Sequence, residues 1–297
     1  MLSGEDFWPT AGTEQGTRRG TEDTVKIQIL GPLSAEVNGG SIVPSAGKPR
    51  QLLSLLALYP GRVMPVPTLM EELWSTEPPA SALTTLQTYI LQLRRKLGTA
   101  MGPASPAGAK DVLATRHGGY LLQIDEDCVD VHQYEKLVRE GQTAFEAGDN
   151  DVSAARFRAA LGLWSGAPLV DVRVGPVLEI EVMRLQESRL VTVERRIDAD
   201  LRLGRHAELI AELADLTARH PHHEGLHSQA MVALYRSGRQ ASALEVYRRL
   251  RMRLIDELGV EPSPQLQRMH QAVLSVDPQL DVLAGPRNTS TFDLFAA

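Results

Sequence analysis

Residues 80–97, ASALTTLQTYILQLRRKL, decide the fold that we expect for the chain. Apolar residues recur there at steps of three and four, which predicts an amphipathic α-helix with one buried stripe. The stripe consists of Leu83, Leu86, Ile90, Leu93 and Leu97. The opposite face carries Thr84, Thr85, Thr88, Gln92 and Arg95. No acidic residue lies between residues 80 and 97, and hydroxyls, amides and arginines are groups that bind base edges in a major groove. The alternative is a solvated helix whose basic end is favoured by the helix dipole.

Short strands and helices are predicted on both sides of this helix. The strands are 25–30, 33–37 and 42–43, the helices are 51–59, 66–74 and 80–97, and a β-hairpin spans 112–124. Asn38-Gly39-Gly40 is a turn signal, because Asn and Gly accept positive φ. Gly98 is expected to end the long helix, and residues 98–109 to form a loop. A sheet, three helices and a hairpin in this order predict a winged helix-turn-helix whose third helix reads DNA.

Six basic or titratable side chains near these elements are candidate phosphate contacts. They are Lys48 and Arg50 beside the first helix, Arg94 and Lys96 in the long helix, and Arg116 and His117 at the hairpin tip. A helix N-terminus with two cations is a reasonable phosphate site, and a basic hairpin tip can enter a minor groove. For the hairpin tip, a plain exposed turn is the alternative interpretation.

Charge is divided unevenly along the chain, although the formal net charge is −6. Residues 24–125 hold nine Lys and Arg against six Asp and Glu, whereas residues 126–297 hold twenty against twenty-six. This asymmetry suits a DNA-binding module joined to a module that contacts protein.

From residue 131 the sequence predicts helices only. They are 131–147, 151–163, 176–203, 206–219, 223–237, 239–258 and 263–275. Gly204 and Gly238 stand at two of the joints and are 34 residues apart, which is the tetratricopeptide period. Gly148 does not keep that period. Such helix pairs present a groove to a partner, and a plain helical bundle is the alternative.

Composition excludes several classes of protein. The single cysteine, Cys128, excludes an intramolecular disulfide. The sequence contains no run of eighteen apolar residues, so no membrane span is predicted. Residues 1–24 are expected to be a disordered leader, residues 279–297 a flexible tail, and the protein cytoplasmic, without a cofactor. Residues 223–227, HEGLH, match the H-E-x-x-H pattern of zinc peptidases. Pro221 and Gly225 place that pattern in a weak first helical turn, which favours a packing role over metal binding.

Long strings of the sequence resemble the Streptomyces antibiotic regulatory protein family. The first half is similar to an OmpR-like winged helix in LGPLSAEV, GKPRQLLSLLAL, PPASALTTLQTYILQLRRKLG and HGGYLL. The second half is similar to the bacterial transcriptional activation domain in ALGLWSGAPLVDV, HPHHEGLHSQAMVALYRSGRQASALEVYRRLR and ELGVEPSPQL. With 297 residues and no phosphate loop, the sequence resembles the small members of the family.

The resemblance implies an α+β winged helix-turn-helix domain at 25–125 and an all-α tetratricopeptide-like activation domain at 126–278. It also implies a transcriptional activator of an antibiotic biosynthetic gene cluster. Family members bind direct repeats next to the −35 region as tandem dimers and recruit RNA polymerase holoenzyme through its sigma factor and other subunits. The alternatives are a repressor of the same architecture and a tetratricopeptide adaptor.

Overall fold

The computed structural model describes residues 24–103 and 108–280. Nearly all of the predicted leader and tail therefore lies outside the described residues. The described chain begins with mixed strands and helices and continues as helices only, which confirms the predicted fold class. Among the described residues, no helix combines the length and the apolar character needed to cross a membrane.

The first element is a three-stranded antiparallel sheet formed by β1 (Val25–Gln28), β2 (Ser34–Val37) and β3 (Gly40–Ser41). Asn38 and Gly39 form the β2–β3 turn with φ of 52° and 79°, as the turn signal predicted. The third strand lies at 40–41, so the prediction of a strand at 42–43 was wrong. Ile42 still returns to the sheet, because its N–H donates to the carbonyl of Ala35 at 2.9 Å.

Three helices and a second small sheet complete the winged helix. The helices are α1 (Gly47–Leu58), α2 (Val66–Trp74) and α3 (Ala82–Met101), followed by the short α4 (Ala109–Val112). The sheet, which we call the wing, has the order β4-β6-β5 with β4 (Met64–Pro65), β5 (Leu113–Arg116) and β6 (Gly119–Leu122). The hairpin predicted at 112–124 is confirmed, and β4 adds a two-residue strand that the sequence analysis did not identify.

The third helix is longer and rotated compared with the prediction. It continues through Gly98 to Met101, which is buried, and Gly102 ends it with a φ of 74°. Ala82 is the first buried residue of the stripe, whereas the side chain of Leu83 is 50% exposed. The prediction that Leu83 belongs to the buried stripe was therefore wrong, because Ala82 occupies that place against the core.

Seven helices follow the wing and agree with the predicted ones to within two residues at each end. They are α5 (Asp130–Glu146), α6 (Asn150–Leu161), α7 (Pro176–Arg202), α8 (His206–Arg219), α9 (Glu224–Arg236), α10 (Gln240–Leu258) and α11 (Pro264–Ser275). Gly148, Gly204 and Gly238 join the α5–α6, α7–α8 and α9–α10 pairs with φ between 73° and 80°. In each turn the N–H after the glycine donates to the carbonyl five residues earlier, which is the Schellman arrangement.

The buried apolar residues form two large clusters, and the first crosses the boundary predicted between residues 125 and 126. It extends from Ile27 through α1, α2, α3 and the wing to Tyr134, Trp164 and Leu185. The second lies among α8, α9, α10, α11 and the last turns of α7. Helix α7 contributes to both clusters, through Leu178 and Leu185 to the first and through Ile197 and Leu201 to the second.

The buried carboxylate of Asp130, at the start of α5, ties the N-terminal sheet to the helical region. It accepts hydrogen bonds from the backbone N–H groups of Ile29 at 2.8 and 2.9 Å and of Leu30 at 3.0 Å. Burial raises the pKa of this carboxyl, and the backbone donors act in the opposite direction. The backbone adds further bonds, because Ser165 and Leu169 donate to the carbonyls of Leu30 and Ile29.

A second buried carboxylate, that of Glu72 in α2, caps the N-terminus of α7. Only 1% of Glu72 is exposed, and its oxygens accept from the N–H groups of Gly175 at 2.6 Å, Val177 at 3.0 Å and Leu178 at 2.9 Å. The side-chain amide of Gln51 in α1 donates to the same carboxylate at 2.7 Å. A side chain at Gly175 would collide with the Glu72 carbonyl, so the close approach requires glycine. The winged helix and α7 are therefore joined by a fully satisfied polar contact.

We predict that Glu72→Ala lowers the free energy of unfolding by about 3 kcal/mol, because three helix N–H groups lose their acceptor inside the protein. Urea unfolding followed by circular dichroism measures this change. The control is Glu71→Ala on the exposed face of the same helix, which should change stability by no more than about 0.5 kcal/mol. Equal effects of the two substitutions would contradict the capping role.

Candidate nucleic-acid interface

The outward face of α3 carries most of the residues predicted to contact bases. Thr84, Thr88, Gln92 and Arg95 are exposed on the side opposite the buried stripe, and Thr85 at the edge of this face is half-buried. The described length of α3 contains no acidic residue. The charges on this face are therefore all positive, as the sequence indicated.

Two threonine hydroxyls on this face already donate hydrogen bonds inside the helix. Thr85 Oγ1 donates to the carbonyl of Ser81 at 3.0 Å, and Thr88 Oγ1 donates to that of Thr84 at 2.9 Å. These bonds use the hydroxyl hydrogen and leave the oxygen lone pairs available. In this geometry the threonines act as acceptors, which suits the amino groups of adenine and cytosine.

The same face contains Gln87 and Leu91, which the sequence analysis did not select. Both are exposed, and they lie three and seven residues after Thr84, within the same stripe of the helix surface. Placing Leu83 in the buried stripe had rotated the predicted face away from Gln87. Because Ala82 and Leu83 are both apolar, the sequence held no signal for the correct rotation.

Arg94 binds the wing. Its Nε donates to the carbonyl of Leu113 at 2.8 Å, and its terminal nitrogen donates to the hydroxyl of Thr115 at 2.8 Å. The structure therefore does not support the predicted phosphate contact at Arg94. Arg94 instead fixes strand β5 relative to α3, so the wing and the outward face have one relative orientation.

The wing tip presents Arg116 and His117 to solvent, as predicted. Gly118 closes the two-residue turn with a φ of 77°, and its carbonyl accepts from the N–H of Val66 at 2.9 Å. A side chain at Gly119 would collide with the carbonyl of Met64, so glycine is needed where β4 pairs with β6. The tip is thus held from both sides by β4 and by Arg94. Lys96 is a further exposed cation of α3.

Lys48 and Arg50 lie at the junction between the winged helix and the helical region. Lys48 Nζ donates to the carbonyl of Leu73 at 2.9 Å and stands 4.6 Å from the centre of the Trp74 ring. Burial and the nearby Arg173 lower the pKa of Lys48. Arg50 forms an ion pair with Asp171. The structure therefore does not support the predicted phosphate contacts of these two residues, because both side chains bind protein groups.

The three polar residues of HEGLH have separate structural roles. His223 is the N-cap of α9, where its Nδ1 accepts from the N–H of Leu226 at 3.4 Å. Glu224 accepts from the N–H of Ser263 at 3.0 Å. Burial lowers the pKa of His227 to about 4, so this ring is neutral at physiological pH. Within residues 24–103 and 108–280, no group of three His, Cys, Asp or Glu side chains is placed to hold a metal ion.

This arrangement joins a positively charged helix face, a basic wing tip and a helical region through a shared apolar cluster and the Glu72 contact. Two family models match the chain: "Transcriptional regulatory protein, C terminal" over residues 40–122 and "Bacterial transcriptional activator domain" over residues 129–274. The fold and this surface define a DNA-binding transcriptional regulator of the winged-helix class.

Three relatives support a narrower assignment. Regulatory protein DnrI of Streptomyces peucetius is 56% identical over 86% of this chain and 94% of its own length. Transcriptional regulator RedD of Streptomyces coelicolor is 39% identical over 87% of this chain and 73% of its own. A solved structure of Mycobacterium tuberculosis EmbR with a low-affinity phosphopeptide has a TM-score of 0.82, 30% identity, and coverage of 93% of this chain and 70% of that one. The chain belongs to the Streptomyces antibiotic regulatory protein family.

The position of Arg94 predicts a specific response to salt. Arg94→Ala should weaken binding to every DNA duplex because the wing loses its attachment to α3, but the slope of log affinity against log salt should stay the same. Lys96→Ala on the exposed surface should lower that slope by about one unit, since it removes a cation that can contact phosphate. Fluorescence anisotropy at four salt concentrations measures both slopes. A smaller slope for Arg94→Ala would show that its guanidinium contacts phosphate after all.

Proposed function

We propose that this protein is a sequence-specific transcriptional activator of an antibiotic biosynthetic gene cluster, which binds direct repeats near the −35 region and recruits RNA polymerase holoenzyme. The observation that carries the proposal is the outward face of α3, where exposed polar groups and arginine stand without any acidic residue. Such a face fits a major groove, because acidic groups there would repel the phosphates.

Within this proposal the binding residues have two tasks. Thr84, Thr85, Thr88, Gln92 and Arg95 contact base edges and determine sequence preference. The exposed cations Lys96 and Arg116, together with His117, contact phosphates and hold the helix in register. The attachment of the wing to α3 through Arg94 supports this division, because both surfaces meet DNA in one fixed arrangement.

Direct repeats require two protomers in the same orientation on one side of the DNA. Such an arrangement has no two-fold axis, so the contact between the protomers joins two different surfaces of the same chain. The helical region is the part proposed to contact the polymerase. Its helices α8 and α10 flank a groove of about 630 Å³, with Leu213 and Leu250 in its lining and Arg239, Arg249 and Arg253 among its cations.

Arg95→Ala and Thr88→Ala should each cost about 1–3 kcal/mol of binding to the preferred site, because each is proposed to contact a base edge. Binding to an unrelated duplex should change much less. Competition anisotropy with the two duplexes measures the specificity ratio.

The matched control is Arg116→Ala at the wing tip. This substitution should weaken binding to both duplexes alike and lower the salt slope by about one unit, since a phosphate contact carries no sequence information. Unchanged affinity and sequence preference in both Arg95→Ala and Thr88→Ala would exclude α3 as the reading helix.

The activator proposal predicts more transcript from a promoter that carries two direct repeats. Run-off transcription with purified polymerase holoenzyme should increase when the full chain is added and remain basal with Arg95→Ala. The full chain is required because the first apolar cluster includes residues on both sides of position 125, so a fragment ending there would lose part of its core.

Gel shifts on one repeat and on two repeats test the tandem arrangement in parallel. Tighter filling of the second repeat indicates contact between protomers, and a supershift with holoenzyme indicates recruitment. A decrease of transcript below the basal level would instead identify a repressor of the same architecture.

A further inference from the structure

Two leucines of α3 are exposed and lie outside both large apolar clusters of the described structure. Leu83 is 50% exposed and Leu91 is 46% exposed. With Gln87 between them they occupy positions i, i+4 and i+8, which form one inclined ridge on a helix surface. We call Leu83, Gln87 and Leu91 the leucine row.

The leucine row borders the polar row that is proposed to read bases. Gln87 lies three residues after Thr84, and Leu91 lies three residues after Thr88 and four before Arg95, spacings that make side chains neighbours on a helix surface. On the far side, Arg94 follows Leu91 by three residues and is bound to the wing. A DNA groove that receives the polar row therefore also meets Gln87 and Leu91, and Leu83 continues the same ridge toward the start of α3.

The major groove offers one apolar group, the C5-methyl of thymine. An exposed leucine that reaches this methyl removes apolar surface of both partners from water. A glutamine amide matches the N7 acceptor and N6 donor of adenine in a bidentate contact. The side chains of the leucine row therefore match the groups that A·T base pairs present in the major groove.

We propose that the leucine row determines specificity for A·T base pairs, with Leu83 and Leu91 against thymine methyl groups and Gln87 bound to an adenine. This inference rests on the proposed function of α3 as the reading helix. Eight residues of helix rise by about 12 Å, which corresponds to roughly three to four base-pair steps of 3.4 Å. The preferred site is thus expected to hold two thymines three to four positions apart, with an adenine between them on either strand.

Selection from a pool of random duplexes tests the row in the full-length protein. The wild type should select the A·T positions described above, Leu91→Ala should lose the preference at one thymine, and Gln87→Ala should lose it at the adenine. Leu258→Ala is the matched control, because Leu258 is 55% exposed at the end of α10 and remote in sequence from the DNA-binding elements. Alanine favours helix formation, and thermal melting verifies that each variant is folded.

Replacing the selected thymine by uracil removes only the methyl group. The wild type and Leu258→Ala should then bind about fourfold more weakly, the equilibrium equivalent of one lost methyl contact. Leu91→Ala should bind the thymine and uracil duplexes equally. Anisotropy titrations measure the affinity of each protein for each of the two duplexes.

Two outcomes would overturn the inference. In the first, the wild type binds the thymine and uracil duplexes equally. In the second, replacing thymine by uracil weakens the binding of Leu91→Ala as much as that of the wild type, which would show that another side chain touches the methyl group. Both differ from a failure of the proposed function, in which the wild type would select no sequence at all.

Discussion

The carboxylate of Glu72 is the contact on which the arrangement of the molecule depends. A carboxylate that is 1% exposed loses nearly all its hydration, a cost of several kcal/mol unless other donors replace the water. The replacement comes from the first N–H groups of α7 and from Gln51, where the positive end of the helix dipole adds to the attraction. Because Glu72 belongs to the helix-turn-helix and the donors to α7, this contact fixes the position of one part relative to the other in the structure.

Other charged side chains also bind protein groups and join separate elements of the fold. Arg94 connects α3 to β5, and Asp130 connects the N-terminal sheet to α5. Lys48 and Arg50 bind groups at the junction with the helical region. Among the six candidate phosphate contacts, Lys96, Arg116 and His117 are exposed, which favours α3 and the tip of the wing as the proposed DNA-binding surface.

Periodicity and glycine-containing joints were sufficient to predict α5 through α11 to within two residues, although α9 is buried on all sides over Leu226–Leu234. Periodicity was less informative at the start of α3, where Ala82 and Leu83 are both apolar and only packing against the core decides which is buried. Basic residues showed the same limitation. Nothing in the sequence around Arg50 indicates that Asp171, more than a hundred residues later, is its partner.

The extent of the first apolar cluster also could not be predicted from the sequence alone. Composition changes near residue 125, and the two family models meet near the same place, but the first cluster continues to Leu185. Sequence patterns report the type of each element, whereas the division of a core depends on which elements touch. Contacts such as Ile27 with Val129 arise only when both segments are folded.

Helix α7 determines where α8 to α11 lie relative to the winged helix. Its 27 residues form a rod of about 40 Å that is fixed at one end by Glu72 and packed at the other into the second cluster. A tilt of only 5° at the capped end would displace the remote end by roughly 3.5 Å. Each residue of an α-helix also turns the following ones by about 100°, so the number of residues in α7 sets the direction in which the later helices leave it. The direction of the later helices and their distance from the winged helix therefore both depend on the length of α7.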